Sequence, residues 1–150
     1  MRRPVKPAML STAFRAFYEQ HRPGYFAYAA ARLPDGEAHV AVAHTFALIA
    51  ADWPTAVTRP SPAAYAWNLH THYVTSRTGT STSREQDTAL MHDHLHLTID
   101  RIATLTGTEP ATVAARLATA RRCAGRRHGT QDSVPSSARG PVPAGTTKCL

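Results

Sequence analysis

The sequence predicts an all-α protein made of two small helical domains that are joined by a flexible linker. Apolar residues recur at spacings of three and four over 11–75 and again over 88–123, and no stretch alternates convincingly as a strand does. Residues 76–87 contain no apolar side chain, a composition typical of a flexible linker. We therefore expect a basic N-terminal arm at 1–10, helical domains at 11–75 and 88–123, and a disordered tail at 124–150.

Three helices are expected in the first domain. Residues 11–33 carry an aromatic stripe but include Pro23, which predicts a kink or two abutting helices. A second helix should cover about 37–53. A third should begin at Ser61 and run to about Thr75, because a serine hydroxyl caps free N–H groups and the proline that follows it fits the first turn of a helix.

The second domain should hold shorter helices near 88–97 and 98–105, a turn at Gly107 and a last helix at about 109–123. The chain beyond it is rich in Gly, Pro, Ser and Thr and has almost no large apolar side chain. Such a segment cannot offset the entropy lost on ordering, which is why disorder is expected there.

The last two helices have the layout of a helix-turn-helix. Gly107 can adopt the left-handed conformation that ends a helix, and Thr108 can cap the next one. Val113 and Leu117 lie four residues apart, so both should face the preceding helix. The opposite face would enter the major groove, and the arginines after it would contact phosphates. The DNA-contacting positions expected on this pair are Thr108, Thr112, Ala115, Arg116, Thr119, Arg121 and Arg122.

The same helix pair has a plainer interpretation. Two helices packed on a bundle, with a solvated Arg-rich face, would show a similar pattern. Arg116 is then a phosphate contact or a solvated side chain rather than a reader of base edges.

Composition favours a polyanionic partner. The 150 residues include 17 Lys and Arg against 10 Asp and Glu, which gives a net charge of +7 with neutral histidine. No apolar run is long enough to span a membrane, and the N-terminus lacks the apolar stretch of a secretion signal. Only two cysteines occur, so a disulfide scaffold is excluded and a reducing cytosol is the default. We expect a cytoplasmic protein without a cofactor.

Three segments of the first domain, in their order and spacing, carry a resemblance to a known family. Residues 14–29 read Phe-Arg-Ala-Phe-Tyr-Glu-Gln-His-Arg-Pro-Gly-Tyr-Phe-Ala-Tyr-Ala, 41–53 read Ala-Val-Ala-His-Thr-Phe-Ala-Leu-Ile-Ala-Ala-Asp-Trp, and 62–74 read Pro-Ala-Ala-Tyr-Ala-Trp-Asn-Leu-His-Thr-His-Tyr-Val. Together with the later helix-turn-helix, they resemble the extracytoplasmic-function sigma factors of the sigma-70 superfamily, in a divergent form of actinobacterial type. The first domain is similar to sigma region 2, and the second is similar to region 4.

The resemblance implies a DNA-binding protein that directs RNA polymerase core to promoters, contacts double-stranded and melted DNA, and is a possible target of an anti-sigma factor. The second segment would dock on the polymerase, and the third would melt DNA and stack unpaired bases on aromatic rings. The implied polymerase contacts are Glu37, His44, Thr45 and Phe46. The implied contacts of the third segment to DNA are Tyr65, Trp67, Asn68, His72 and Arg77.

Several alternatives stay open at this point. The aromatic residues Tyr65, Trp67 and Trp53 could be core residues instead. The chain could be a degenerate sigma-like interaction protein that regulates transcription by binding a polymerase subunit or an anti-sigma partner without initiating. A weaker third possibility is a metal-dependent enzyme built on the cluster His92, His94 and His96, although no metal site is expected. No spacing of Ser, His and Asp indicates a catalytic triad, so we do not expect an enzyme.

Overall fold

The computed structural model describes residues 7–129, and this part of the chain is all-α, as the sequence predicts. Within it there is no β-strand. A single π-helical turn follows the fifth α-helix, at Leu90–His94. The α-helices are α1 (Pro7–Arg32), α2 (Glu37–Ala51), α3 (Trp53–Ala56), α4 (Pro62–Thr78), α5 (Arg84–Ala89), α6 (Ile99–Thr106) and α7 (Pro110–Gly129).

α1 is one helix of 26 residues that continues through Pro23, so the alternative of two abutting helices is wrong. The ring of Pro23 lies on the exposed side of the helix, where a missing backbone donor does not remove a buried hydrogen bond. α1 also begins earlier than expected, so residues 7–10 of the predicted basic arm are helical. Residues 1–6 of that arm lie outside the described residues.

α4 begins as the sequence predicts and ends slightly later. The Ser61 hydroxyl accepts the backbone N–H of Ala64 at 3.2 Å, and Pro62 occupies the first helical position. The helix runs to Thr78 and ends at Gly79 in the left-handed conformation. Three residues of the predicted linker therefore belong to α4.

The predicted linker at 76–87 is largely helical, and only residues 79–83 within it lie outside helices. Ser83 and Gln86 form a reciprocal capping box that starts α5. The Asp87 carboxylate, which is buried, accepts hydrogen bonds from the hydroxyls of Tyr28 at 2.9 Å and Thr82 at 2.6 Å. The polar side chains of this segment therefore cap a helix and fasten it to α1.

The two predicted domains share one hydrophobic core in the part of the chain that the structure describes. Tyr25 and Phe46 from the first domain belong to the same buried cluster as Met91, Ile102 and Val113 from the second. This common core follows from the short connection, because α6 packs on α4 and the Tyr28–Asp87 hydrogen bond joins α5 to α1.

α6 and α7 are two helices joined by a three-residue turn at 107–109, at the place where the sequence predicts a helix-turn-helix. Thr98 caps α6 by accepting the N–H of Arg101, and Gly107 ends it with a φ of 67°. Val113 and Leu117, which the sequence predicts to face the preceding helix, are buried, and so are Ile102 and Leu105 of α6.

α7 is longer than the sequence predicts. It extends through Gly129, so residues 124–129 of the predicted disordered tail are helical. The remaining expectation of disorder, over 130–150, lies outside the described residues. No helix among the described residues is long and apolar enough to cross a membrane.

Cys123 in α7 is disulfide-bonded. A single disulfide is not a disulfide scaffold, so the exclusion of such a scaffold is not contradicted, and a reducing cytosol stays a prediction.

Candidate nucleic-acid interface

The outward face of α7 presents most of the positions that the helix-turn-helix pattern predicts. Thr112 and Ala115 are exposed, and Thr119 is half-buried on the same side. Val113 and Leu117 hold the opposite side of the helix on the core, with 0% and 4% of their surface exposed. Their burial orients α7 so that a strip of small and hydroxyl-bearing side chains faces solvent.

A positively charged surface continues along α7 from this strip. Arg121 and Arg122 are exposed, and Arg126 and Arg127 extend the surface by one further turn. The Arg122 guanidinium donates a hydrogen bond to the Thr119 hydroxyl at 2.9 Å, which holds it beside the predicted recognition positions.

Arg121 has an acidic neighbour. Its Nη2 lies 3.8 Å from the Asp93 carboxylate, an exposed pair that contributes little to stability. A hydrogen bond with His92, together with the nearby Arg121 charge, holds the pKa of the Asp93 carboxyl below its usual range. Asp93 therefore stays negative and partly offsets the charge of Arg121.

A groove of about 360 Å³, which we call the α4–α7 groove, lies between α4 and the helix-turn-helix. It brings together residues that the sequence assigned to two separate domains. Trp67, Asn68 and His72 of α4 line it, and so do Thr108 and Arg116 of the helix-turn-helix. These candidate contacts to melted and to duplex DNA therefore border one continuous surface.

Trp67 lies in the core. This matches the alternative that it is a core residue rather than a ring on which unpaired bases stack. It is 7% exposed, and its ring packs edge-on against Tyr25 at 5.4 Å and against Tyr28 at 4.8 Å. Only its margin reaches the α4–α7 groove, whereas Asn68 beside it is exposed. A base could not stack on Trp67 without rearrangement of this packing.

The other α4 candidates are half-buried or exposed. The half-buried Tyr65 donates its hydroxyl to Asp52 at 3.2 Å, and the guanidinium of Arg59 lies over its ring at 4.0 Å. Arg77 is exposed and lies 3.6 Å from the Glu37 carboxylate. His72 is exposed and has no such partner among the described residues.

Two of the four residues implied as polymerase contacts are buried. Thr45 is 0% exposed and Phe46 is 4% exposed, so neither offers a docking surface. The reason for Phe46 is packing, because its ring lies 4.7 Å from Tyr18 and 5.3 Å from Tyr25. His44 is exposed and stacks on Tyr73, which leaves it as the one fully exposed member of the implied set.

Thr45 belongs to a buried hydrogen-bonded network that the sequence did not reveal. Its hydroxyl lies 2.9 Å from the carbonyl of Ala41 and 3.0 Å from Nδ1 of His70, and it shares its single hydrogen between these two acceptors. The other ring nitrogen of His70 lies 2.9 Å from the carbonyl of Tyr25, so it carries the proton and donates it there. Burial lowers the pKa of His70 to about 4, which keeps the ring neutral at pH 7.

The histidine cluster forms no metal site within the described range of the chain, where no group of three metal-binding side chains comes together. The cluster spans the π-helical turn, and His96 adopts a positive φ of 55° beyond it. His92 and His96 are therefore not successive residues on one face of an α-helix. Nδ1 of His92 instead lies 2.8 Å from the Asp93 carboxylate.

Two further residues of the α4–α7 groove escaped the sequence analysis. Arg84 lines it from α5, and Thr106 lines it from the end of α6. Arg84 was hidden because its segment reads as a linker. Thr106 was hidden because a threonine in the last turn of a helix resembles a solvated position.

Comparisons of the chain with protein-family models, with curated proteins and with solved structures gave no match.

Proposed function

We propose that this protein binds duplex DNA through the α6–α7 helix-turn-helix and acts in transcription as a divergent sigma-like factor. The observation that carries the proposal is the orientation of α7. Val113 and Leu117 are buried while Thr112, Ala115 and Arg122 face solvent. A recognition helix needs this division, because one side must be held firmly and the other must fit the major groove.

The arginines after the recognition strip supply the electrostatic part of binding. Phosphate contacts position a protein on DNA and release counterions, which makes affinity depend steeply on salt. Arg121 and Arg122 are both exposed and directly follow the strip. In this proposal they contact the phosphate backbone on either side of the groove that α7 enters.

Arg116 has a different position and a different role in the proposal. It is half-buried at the α4–α7 groove, next to Thr108 and opposite Asn68 and His72. A guanidinium held in this way can donate two parallel hydrogen bonds to guanine. Asn68 and His72 then contact the strand that passes the opening of the α4–α7 groove.

A salt titration of DNA binding tests the electrostatic assignment. The double variant Arg121→Ala/Arg122→Ala should flatten the slope of log affinity against log salt by about 2. The matched control is Arg15→Ala/Arg22→Ala, which removes the same charge from exposed positions of α1. Equal slopes for the two double variants would contradict a role for α7 in phosphate contact, and no measurable binding by the wild type would end the proposal.

Promoter-directed initiation needs its own experiment. Run-off transcription with RNA polymerase core plus this protein should yield specific start sites if the protein is an initiating sigma factor. Specific DNA binding without any start sites would leave a DNA-binding regulator and contradict initiation.

The outer face of α2 favours a second candidate function, that of a sigma-like interaction protein. Val40 and Leu48 are exposed by 57% and 45%, and Ala43 and Ala47 lie exposed between them. An exposed apolar strip without charge is typical of a surface that binds another protein. In this alternative, a polymerase subunit or an anti-sigma partner covers α2.

Capture of purified RNA polymerase core tests this alternative. Leu48→Glu should abolish capture, since it replaces one of the two large side chains of the apolar strip with a charge. Ala30→Glu adds the same charge at an exposed position of α1 and should leave capture unchanged. Equal capture by both variants would exclude the α2 face as the polymerase contact.

A further inference from the structure

The α4–α7 groove is lined by two arginines whose guanidinium groups have no partner within the part of the chain that the structure describes. Arg116 is half-buried and Arg84 is exposed, and neither side chain forms a hydrogen bond or an ion pair with a described residue. A guanidinium presents five N–H donors, and burying part of it without an acceptor is unfavourable. These two arginines therefore offer donors to an anionic group such as a phosphate.

The buried side chains of the same groove offer acceptors instead. Asp87, Thr88 and Thr106 line it and are 8%, 2% and 6% exposed. The Thr88 hydroxyl already donates to the carbonyl of Arg84 at 2.7 Å, and the Thr106 hydroxyl donates to the carbonyl of Ile102 at 2.7 Å. A threonine hydroxyl has one hydrogen and two lone pairs, so the capacity that remains on these two side chains is that of an acceptor.

Asp87 adds a carboxylate oxygen that no described residue satisfies. Its Oδ1 accepts hydrogen bonds from the hydroxyls of Tyr28, at 2.9 Å, and Thr82, at 2.6 Å. Its Oδ2 accepts none from the described residues. A buried acceptor without a donor costs free energy, so this end of the groove favours a ligand that carries an N–H group.

The groove also has an apolar lining. Ala64, Met91 and the margin of Trp67 contribute to it, and such side chains can pack against a flat ring. The volume of about 360 Å³ lies towards the lower end of the range for small-molecule sites, which is about 300–1,000 Å³. A fitting ligand is therefore small and combines a ring with an N–H donor and an anionic group.

We propose that the α4–α7 groove binds a free nucleoside monophosphate whose base carries an amino group. The amino group donates to Asp87, and the phosphate accepts hydrogen bonds from Arg84 and Arg116. A nucleotide of this kind joins a flat ring, an amino donor and an anionic group in one small molecule. The proposal does not rest on DNA binding by α7, although a nucleotide in the groove would occupy Arg116, which the proposed function assigns to guanine.

Equilibrium binding of cytidine monophosphate and uridine monophosphate to the full chain tests the part played by Asp87. The two probes have similar size and charge, but cytidine carries an amino donor where uridine carries a carbonyl acceptor. The wild type should bind the cytidine probe at least about tenfold more tightly, because the uridine carbonyl would face a carboxylate. Equal affinities, or no binding of either probe, would overturn the proposal.

Asp87→Asn should remove this preference. The amide keeps an oxygen that can accept from Tyr28 and Thr82, and it places an N–H donor where Oδ2 stands. The variant should therefore bind the uridine probe at least as tightly as the cytidine probe. Asp100→Asn, at an exposed position of α6, is the matched control and should keep the wild-type preference. An unchanged preference in Asp87→Asn would overturn the proposal.

The arginines provide variants that leave the buried hydrogen bonds of Asp87 intact, in case Asp87→Asn does not fold. Arg84→Gln and Arg116→Gln should each weaken both probes by about tenfold, since each removes a charged donor from the phosphate. The ratio between the two probes should stay the same. Arg15→Gln, at an exposed position of α1, is the control and should bind as the wild type does. Wild-type affinity in both groove variants would contradict the assignment of the phosphate.

A short single-stranded oligonucleotide of deoxycytidine separates this proposal from the proposed function. The free monophosphate should bind in the absence of any nucleic acid. Binding of the oligonucleotide without binding of the free monophosphate would overturn the present proposal and would support contact of the groove with melted DNA. Binding of the free monophosphate by a protein that does not bind DNA would support it and end the proposed function.

Discussion

The N-terminal and C-terminal parts of the molecule carry their predicted contact residues in opposite environments. In α2 and α4, Thr45, Phe46 and Trp67 are buried in the core. In α7, Thr112 and Arg122 are exposed. The difference teaches that an aromatic residue in a helical stripe is first of all a core residue, whereas a strip of small residues followed by arginines indicates a surface.

The largest expected effect tests the core side of this comparison. Phe46→Ala should lower the free energy of unfolding by about 3–5 kcal/mol, because it removes a ring that packs against Tyr18 and Tyr25. Leu48→Ala on the same helix is the control and should cost far less, since Leu48 is 45% exposed. Urea denaturation measures both, and similar losses for the two variants would contradict the burial of Phe46.

A second prediction concerns pH and the neutral His70. Its pKa of about 4 in the folded protein lies below the unfolded value of 6.5, so the unfolded chain binds the proton more readily. Stability is therefore fully present above pH 6.5 and falls as the pH drops towards 4. The full contribution is roughly 3 kcal/mol, at 1.36 kcal/mol per pKa unit.

The variant His70→Gln should lose this dependence, because its amide can still donate to the Tyr25 carbonyl but does not titrate. His21 is also buried, with a pKa lowered to about 4 by burial and by Arg101, so part of the acid sensitivity should remain. His72→Gln at an exposed neighbouring position is the control. Urea denaturation at pH 7 and pH 5 measures how the free energy of unfolding of each variant changes with pH. A change in His70→Gln as large as that of the wild type would contradict a neutral buried ring.

A third and smaller effect tests the junction between the two parts. Gly107 and Gly79 both have a φ near 70°, so alanine is strained at either position. Only at Gly107 would the added Cβ meet other atoms, at 2.6 Å from the Ser61 hydroxyl and close to the backbone of Ala64. Gly107→Ala should therefore cost about 1–3 kcal/mol more than Gly79→Ala in thermal or urea unfolding, and equal costs would contradict the close contact.

The smallest expected effect tests the surface side. Arg121→Ala/Arg122→Ala should change the free energy of unfolding by no more than about 0.5 kcal/mol, because both side chains are exposed and the Asp93 contact is solvated. Urea denaturation of the double variant checks this. A large loss of stability would show that these arginines hold the fold together, and it would weaken their assignment to DNA.

The sequence predicts the start of α4, the end of α6 and the buried face of α7 well because these depend on neighbouring residues. Ser61 and Gly107 mark helix ends through their own chemistry, and Val113 and Leu117 mark a buried face through their spacing. The helix-turn-helix is built from such local signals, which is why its outline could be predicted.

The joining of the two predicted domains could not be predicted, because it depends on contacts between distant residues. The hydrogen bond from Tyr28 to Asp87 connects residues 59 positions apart, and nothing near Asp87 in the sequence points to its partner. The same holds for the groove that Arg84 shares with Asn68. From sequence alone, a polar segment is predicted to be solvated, because its hydrogen-bond partners in distant parts of the chain are not known.

The contact of Gly107 with the start of α4 has a mechanical consequence. The Ser61 hydroxyl that caps α4 also donates to the carbonyl of Gly107 at 3.3 Å, so the turn before α7 is attached to the start of α4. A displacement of α4 would therefore move the start of α7 with it. If α7 binds DNA as proposed, simultaneous contact with two distant sites would require the DNA itself to bend.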